Sequence, residues 1–380
     1  MALGSGQAGQ VGFKLETTPG VPVTVDTFVP FLSESLDNDT PTMVSKAIVA
    51  GRRIPAQHAQ GNTTLAGGLQ MELYNKGQED LLALLIGTPN KTGAGPYTRT
   101  HNATDLTGVS ATMQVGRPEV GGTVDPFTWA GVKAQSGEIA FKAGEFVTLG
   151  VDPVGMTEST YRTVTDGVTT NTSTTITSAT AAFVAADIGK PIAGTGIPAN
   201  ATIAAVASAT SATLSAAATA TGTGVTFTFG KALASASFLS GQTPYTFAHG
   251  AATIAASGVN VTGGKVKFGS MLNAGRRFIG TRNIAQPLES DVRDITFELD
   301  LEWDTMAHYT RFLSHAEHAV VVAFTAGTDP LTITGNCYLG NSPKPQVSSR
   351  DILEQKLVLP VAHATSDTSA FSAVMVNGTA

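Results

Sequence analysis

The chain has 380 residues, 42% of them hydrophobic, enough for one large or two ordinary domains with real cores. Only 14% are charged, well below the roughly 25% usual in soluble domains; Thr, Ala, Gly and Ser fill the gap, which points to an all-β chain. The net charge of −6 argues against a nucleic-acid grip, since phosphate contact needs clustered Lys and Arg and the only basic doublets are Arg52-Arg53 and Arg276-Arg277, while the single Cys337 excludes an internal disulfide or a Cys-based zinc site.

The opening MALGSGQAGQVG has no basic stretch followed by an apolar one, so no secretory signal is expected and the product reads as soluble and made in the cytoplasm. Gly4, Gly6 and Gly9 match GxGxxG formally, but the dinucleotide motif needs a strand before it, so they read as a leader. Residues 1–60 are rich in turn formers (TTPGVPV, DNDTP) and predict an arm with short strands. Then Leu65, Gly67, Leu69, Met71 and Leu73 alternate with Gly68, Gln70, Glu72 and Tyr74, a period-two strand. GQEDLLALLIG changes to helical spacing, with Glu79 and Asp80 where the helix dipole favours acids and Gly87 as the stop. A long polar loop is expected near 88–104.

Residues 125–155 and 243–273 share a Pro-aromatic-Thr-aromatic opening, PFTW and PYTF, each followed by alternating segments, which suggests an internal duplication. Between them, 171–229 holds only Asp187 and Lys190 as charges. Its Ile176, Phe183, Val184, Ile188, Ile192, Ile197, Ile203, Val206 and Leu214 are spaced by Gly-Pro-Asn turns and predict an inserted small β-module rather than disorder. The expected domains are an arm at 1–60, a parent domain at 61–162, the module at 163–229 and the rest of the parent at 230–380.

From Ile295, Phe297, Leu299, Leu301 and Trp303 point one way, while Glu298, Asp300, Glu302 and Asp304 point the other. DTMAHYTRFLSH follows as a helix with Asp304 or Thr305 as N-cap and Met306, Tyr309, Phe312 and Leu313 on one face. AVVVAF then reads as a buried strand, far too short to cross a bilayer. His308, His315 and His318 with Glu317 lie around a helix end with no third ligand fixed by spacing, so no metal site is assigned. No nucleophile elbow, P-loop or HExxH occurs.

Carboxylates at i and i+2 of a strand lie about 6.6–7 Å apart, a spacing that suits an inverting glycosidase. Such a pair needs two environments to split its pKa values, and one row supplies one environment. Neighbours repel by roughly 0.6 kcal/mol in water and ~2.4 at an effective dielectric of 20, so the row belongs on a wet surface and no catalytic residue or cofactor is assigned.

Several segments together resemble the tail tube proteins of long-tailed bacteriophages, the siphophage type. They are VGFKLETTPGVPVTVDTFVPFLSESL (11–36), GNTTLAGGLQMEL with GQEDLLALLIG, PFTWAGVKAQSGEIAFKAGEFVTLGVDPVG, PYTFAHG, GRRFIGTRNIAQPLESDVRDITFELDLEWD and SRDILEQKLVLP (349–360). The resemblance covers most of the chain apart from 161–230. It implies a mainly β sandwich with a flanking short helix, six copies of which join into a ring whose inner sheets form a barrel. Rings stack into a tube in the phage tail, through which DNA passes without specific binding. Implied partners are further copies, a tape measure protein, and tail terminator and distal tail proteins, with no membrane. The module would decorate the exterior. On this reading Gln70, Glu72, Glu298, Asp300 and Glu302 line the bore, and Leu69, Met71, Leu73, Phe297, Leu299, Leu301 and Trp303 fill the sandwich. Stacked rings would touch through 1–60 and 88–104. A β-rich virion adhesin is the other class the composition fits, and a carboxylate hydrolase the third.

Overall fold

Period-two alternation dominates the computed structural model, which describes residues 5–347, 352–362 and 366–378 and is mainly β. Its backbone is a 13-stranded sheet. Across one flank run Glu354–Pro360, Asp294–Glu302, Val261–Gly269, Val124–Lys142, Thr148–Gly155 and Leu69–Glu72. The 19-residue strand Val124–Lys142 ties two halves together. Its first half pairs with Ala111–Pro118 and Thr157–Thr160, its second with Thr148–Gly155 and Val261–Gly269. A register shift between Ala134 and Ser136 marks the changeover, as expected where an extra residue bends a strand.

A 7-stranded sheet covers the apolar face of this flank. His318–Ala326, Asp329–Cys337 and Phe371–Asn377 are its central strands, all antiparallel. Phe141 meets Phe324 edge-on at 5.5 Å and Phe268 meets Phe371 at 5.8 Å across the interface. Gly335 lets the sheets close up: a Cβ there would sit 2.5 Å from the Phe297 ring. The helix Glu79–Leu85 seals one end, its Leu85 resting where a Cβ on Gly137 would lie at 2.7 Å. Both strand-to-helix switches, Leu69–Glu72 into Glu79–Leu85 and Asp294–Glu302 into Ala307–Ser314, carry the chain from the large sheet to the second one.

Several sequence-based expectations change. Residues 88–104 are not a free loop but the strands Asn90–Thr92 and Tyr97–Asn102, which pair with each other and with Phe371–Asn377 and bury Arg99 and His101. The two Pro-aromatic segments take unlike places: Pro126 to Trp129 lie inside the long strand, whereas Pro244 and Thr246 make only isolated bridges. Trp303 leaves the strand and is half-buried, its backbone N–H donating to the Leu353 carbonyl at 2.7 Å, because the strand ends at Glu302. Met306 rather than Asp304 or Thr305 holds the N-cap position of the second helix, without a side-chain cap, while the Thr305 hydroxyl accepts from the Ala307 N–H at 3.2 Å; Met306 and Leu313 are exposed. Of the resembling segments, Ser349 to Asp351 lie outside the described residues, as does Gly4.

Residues 162–229 form a separate 6-stranded sheet with its own core of Ile176, Phe183, Ile192, Ile203, Leu214, Phe227 and Phe229. Val184 and Ile188 stay exposed. Buried Asp187 pairs with Arg162 at 2.9 Å and Lys190 at 3.2 Å, so both charges of 171–229 serve one internal cluster.

The N-terminal segment is only partly an arm. Gln10–Leu15 pairs with Ala111–Pro118 and buries Val11 and Phe13. Buried Glu16 fastens the next turn, accepting from the N–H groups of Gly20 (2.8 Å) and Gly131 (2.9 Å) and the hydroxyls of Ser110 (2.7 Å) and Thr112 (2.9 Å). Replacing a carboxylate with that many donors leaves each of them unmet. Glu16→Ala is therefore expected to lower unfolding free energy by about 3 kcal/mol, read by urea denaturation, against less than about 1 kcal/mol for the exposed Glu145→Ala.

Candidate functional site

The face of the large sheet opposite the core is solvent-accessible and polar. Its rows follow from register. Ser33, Gln70, Gly150, Glu138, Lys267, Thr296 and Pro360 lie side by side across seven strands. The next row is Glu72, Thr148, Ala140, Lys265, Glu298 and Val358, and beyond it Gly263, Asp300 and Lys356. Two shallow hollows lie along it, one of about 520 Å³ beside Lys265, Glu298, Asp300 and Lys356, the other of about 350 Å³ beside Gln70, Glu138 and Lys267.

Gln70, Glu72, Glu298, Asp300 and Glu302 all lie on this face, and Leu69, Met71, Leu73, Phe297, Leu299 and Leu301 are buried behind it. Their environments differ. Gln70 is exposed, and Gly150 leaves it room, since a Cβ there would lie 2.6 Å from the Gln70 amide. Half-buried Glu72 accepts from the Tyr74 hydroxyl at 3.0 Å. Burial, then that hydrogen bond and charge, push Tyr74 up to about 12. Asp300 and Glu302 are exposed.

Glu298 departs from the expectation of a wet acidic row, because it is 8% exposed. Lys267 and Lys356 both donate to it, the latter at 2.7 Å, and Lys265 pairs with Glu138 at 3.2 Å. Alternation in the sequence already puts Lys265 and Lys267 on a polar strand face, but the pairing that sets Val261–Gly269 on one side of the carboxylate strand and Glu354–Pro360, with Lys356, on the other is visible only in the structure. The signal was present in the alternation of GGKVKFG and LEQKLVLP. The face is thus a mixed-charge lattice with an acidic excess, its lysines mostly committed to carboxylates, and no Arg occurs in these strands.

Burial raises the Glu298 carboxyl, but the hydrogen bonds and charges of Lys267 and Lys356 together outweigh it and hold it below the usual carboxylate range. A carboxyl held ionised cannot be the protonated acid that glycoside hydrolysis requires. Away from this face, burial pushes Lys133 down to about 8 where its Nζ donates to the carbonyls of Leu106 and Thr107, and it pushes His101 down to about 4. Burial likewise lowers His308 and His318. Among the described residues no group of three His, Cys, Asp or Glu is arranged to hold a metal ion, and no helix is long and apolar enough to cross a membrane.

A family model described as phage tail tube protein matches residues 6–257, well over half of the chain. No curated protein matches it.

The pairing of Glu298 has a pH signature. Because its folded pKa is depressed, the stability it contributes is fully present above the unfolded value of about 4.3 and is lost as pH falls through the folded value. Glu298→Gln is expected to melt several degrees lower at pH 7, with the gap closing as pH drops below about 4. A gap constant from pH 7 to pH 3 in differential scanning calorimetry would refute this account of the ion pairs.

Proposed function

The chain belongs to the phage tail tube protein family, and we propose that its polar sheet face lines the bore of a tube built from stacked rings, with DNA as the cargo. Membership makes it a structural component of the virion tail that assembles with itself and works with other tail parts. Six copies per ring, a siphophage tail, a tape measure protein within and terminator and distal proteins at the ends belong to this reading. No catalysis is assigned.

The observation that carries the proposal is the pairing of a sealed apolar face with a broad polar one on a single large sheet. A globular enzyme gains nothing from several strands of exposed charged lattice without a cleft. A conduit needs such a wall. Phosphates bind Lys and Arg by releasing counterions; here Lys265, Lys267 and Lys356 already sit against carboxylates, so a passing backbone would have to break those pairs to gain a hold. The acids at Asp300 and Glu302 add repulsion.

The 162–229 sheet fits an external decoration. Arg162 lies directly opposite Phe229, so the segment leaves and re-enters the parent at neighbouring points, as tolerated insertions do. Its core is separate from the main one.

Negative-stain microscopy of the purified protein tests the reading: stacked hollow rings are expected, and discrete monomers or trimers under all conditions would overturn it. Replacing 163–229 by a short Gly-Ser linker is expected to leave tubes of unchanged axial repeat and smaller outer diameter. Loss of assembly by that variant, with its fold intact by circular dichroism, would remove the module from the exterior.

A further inference from the structure

The hairpin of Thr42–Val44 and His58–Gln60 projects from the body: apart from Ser45 and Ala56, every residue from Pro41 to Gln60 is exposed. Its tip is apolar as well as exposed, with Ile48 at 100% and Ile54 at 74%. It is also basic. Lys46, Arg52 and Arg53 stand in a stretch without one acid, in a chain of net charge −6, and none of the three makes an ion pair within the described residues. An exposed stretch of this kind on an isolated chain marks an unmet contact.

Register puts the complement at the other end of the large sheet. Along Val124–Lys142, Ser136 is opposite Asp152 and Gly269, whereas Lys142 is opposite Gly263. Beyond the Ser136 end the chain runs on to Gly155, beside Leu65, which leads back to the hairpin at Gln60. The Lys142 end turns through Phe146. There Phe146 and Phe247 are each about half exposed, at 49% and 51%, and Phe247 borders an apolar recess of about 90 Å³ between the sheets, formed with Phe141, Val322 and Phe324.

The same end is acidic. Glu302 lies directly opposite Glu354, with Asp304 two residues on; all are exposed and none has an ion pair within the described residues. Like charges directly opposite on paired strands are destabilising. Cations from outside would relieve that repulsion.

We propose that the 42–60 hairpin of one chain docks on the Phe146–Phe247 end of a second copy, its Ile48 and Ile54 against the recess and its Arg52 and Arg53 against Glu302 and Glu354. The inference rests on the tube reading and adds the partner surface. The contact is heterologous, one patch meeting a different patch, and because the two patches lie at opposite ends of the sheet it repeats as a filament along the strand direction rather than closing on itself. Steering by opposite charge orients each incoming copy and makes growth sensitive to salt.

The test compares wild type, Arg52→Glu/Arg53→Glu, and that variant carrying Glu302→Arg/Glu354→Arg as well. Pelletable polymer at 0.15 M salt is expected to fall at least about tenfold in the first variant and to return substantially in the second, with circular dichroism unchanged in both. A second measurement joins Ile48→Cys and Phe247→Cys in one chain, the native Cys337 being buried. Mild oxidation of its tubes is expected to give a disulfide ladder of multimers that neither single variant gives. Wild-type polymer yield from the reversed hairpin, or double-cysteine tubes without a ladder, overturns the contact while leaving the tube reading standing. Wild-type chains that stay dispersed in every condition overturn the tube reading, and the contact with it.

Discussion

Burial of Phe297, Leu299 and Leu301 against the second sheet fixes the register of the whole flank, and register decides which charges meet. A slip of one residue would bring Glu298 and Asp300 into the core and send the phenylalanine into water. The dry face is therefore not merely a source of stability. By forbidding other alignments it sets Lys265 opposite Glu298 and Asp300 opposite Lys356, so the charge lattice of the wet face is a consequence of packing on the hidden one.

That dependence explains what the sequence makes legible. Alternation at 65–74 and 295–304 is local, and it identified both faces of Leu69–Glu72 and of Asp294–Glu302 as well as the helix after each, although the first run is broken at Gly67 and Gly68 into two strands. The mixed character of the wet face is non-local. Lys265 meets Glu138 across 127 residues, and Lys267 meets Glu298 across 31, which no window of a single strand contains. The same limit applies to 88–104, where a polar, Gly- and Thr-rich stretch reads as loop. Tertiary pairing with Phe371–Asn377 makes it a strand and buries Arg99 beside Asn377, with its guanidinium donating to the amide oxygen at 2.7 Å. Trp303 failed for a simpler reason: alternation says nothing about where a strand stops.

The chain manages its remaining polar backbone with little regular pairing. Glu16 does for the N-terminal turn what a ladder does elsewhere, gathering donors from three separate segments. Arg293 does the same at the start of the carboxylate strand, pairing with Glu289 at 2.5 Å and donating to the Ile86 carbonyl at the end of the first helix. Glu16 sits just after the strand Gln10–Leu15 ends and Arg293 just before Asp294–Glu302 begins, and both convert a loop into a fixed approach. The sheet's geometry is thus set at two strand ends by buried or half-buried ionic groups and along its length by apolar packing.

Edges complete the physical logic. The last strand of the flank, Glu354–Pro360, has its outward groups largely taken by its own chain. Tyr338 and Gly340 donate to the carbonyls of Pro360 and Val358, and the Asn341 side chain bridges the Lys356 carbonyl and the Val358 N–H. Pro360 has no N–H to offer. This edge therefore presents little of the open ladder that drives indiscriminate strand pairing. Lateral closure of inner sheets into a continuous barrel would require the 338–341 segment to move aside, trading four internal hydrogen bonds for intermolecular ones of similar strength. Because that exchange is nearly neutral in hydrogen-bond energy, the free energy for the proposed ring closure would have to come from elsewhere, namely apolar burial and charge pairing between copies. On the proposed reading, a subunit built this way would resist pairing along this edge and would polymerise only when several contacts form together.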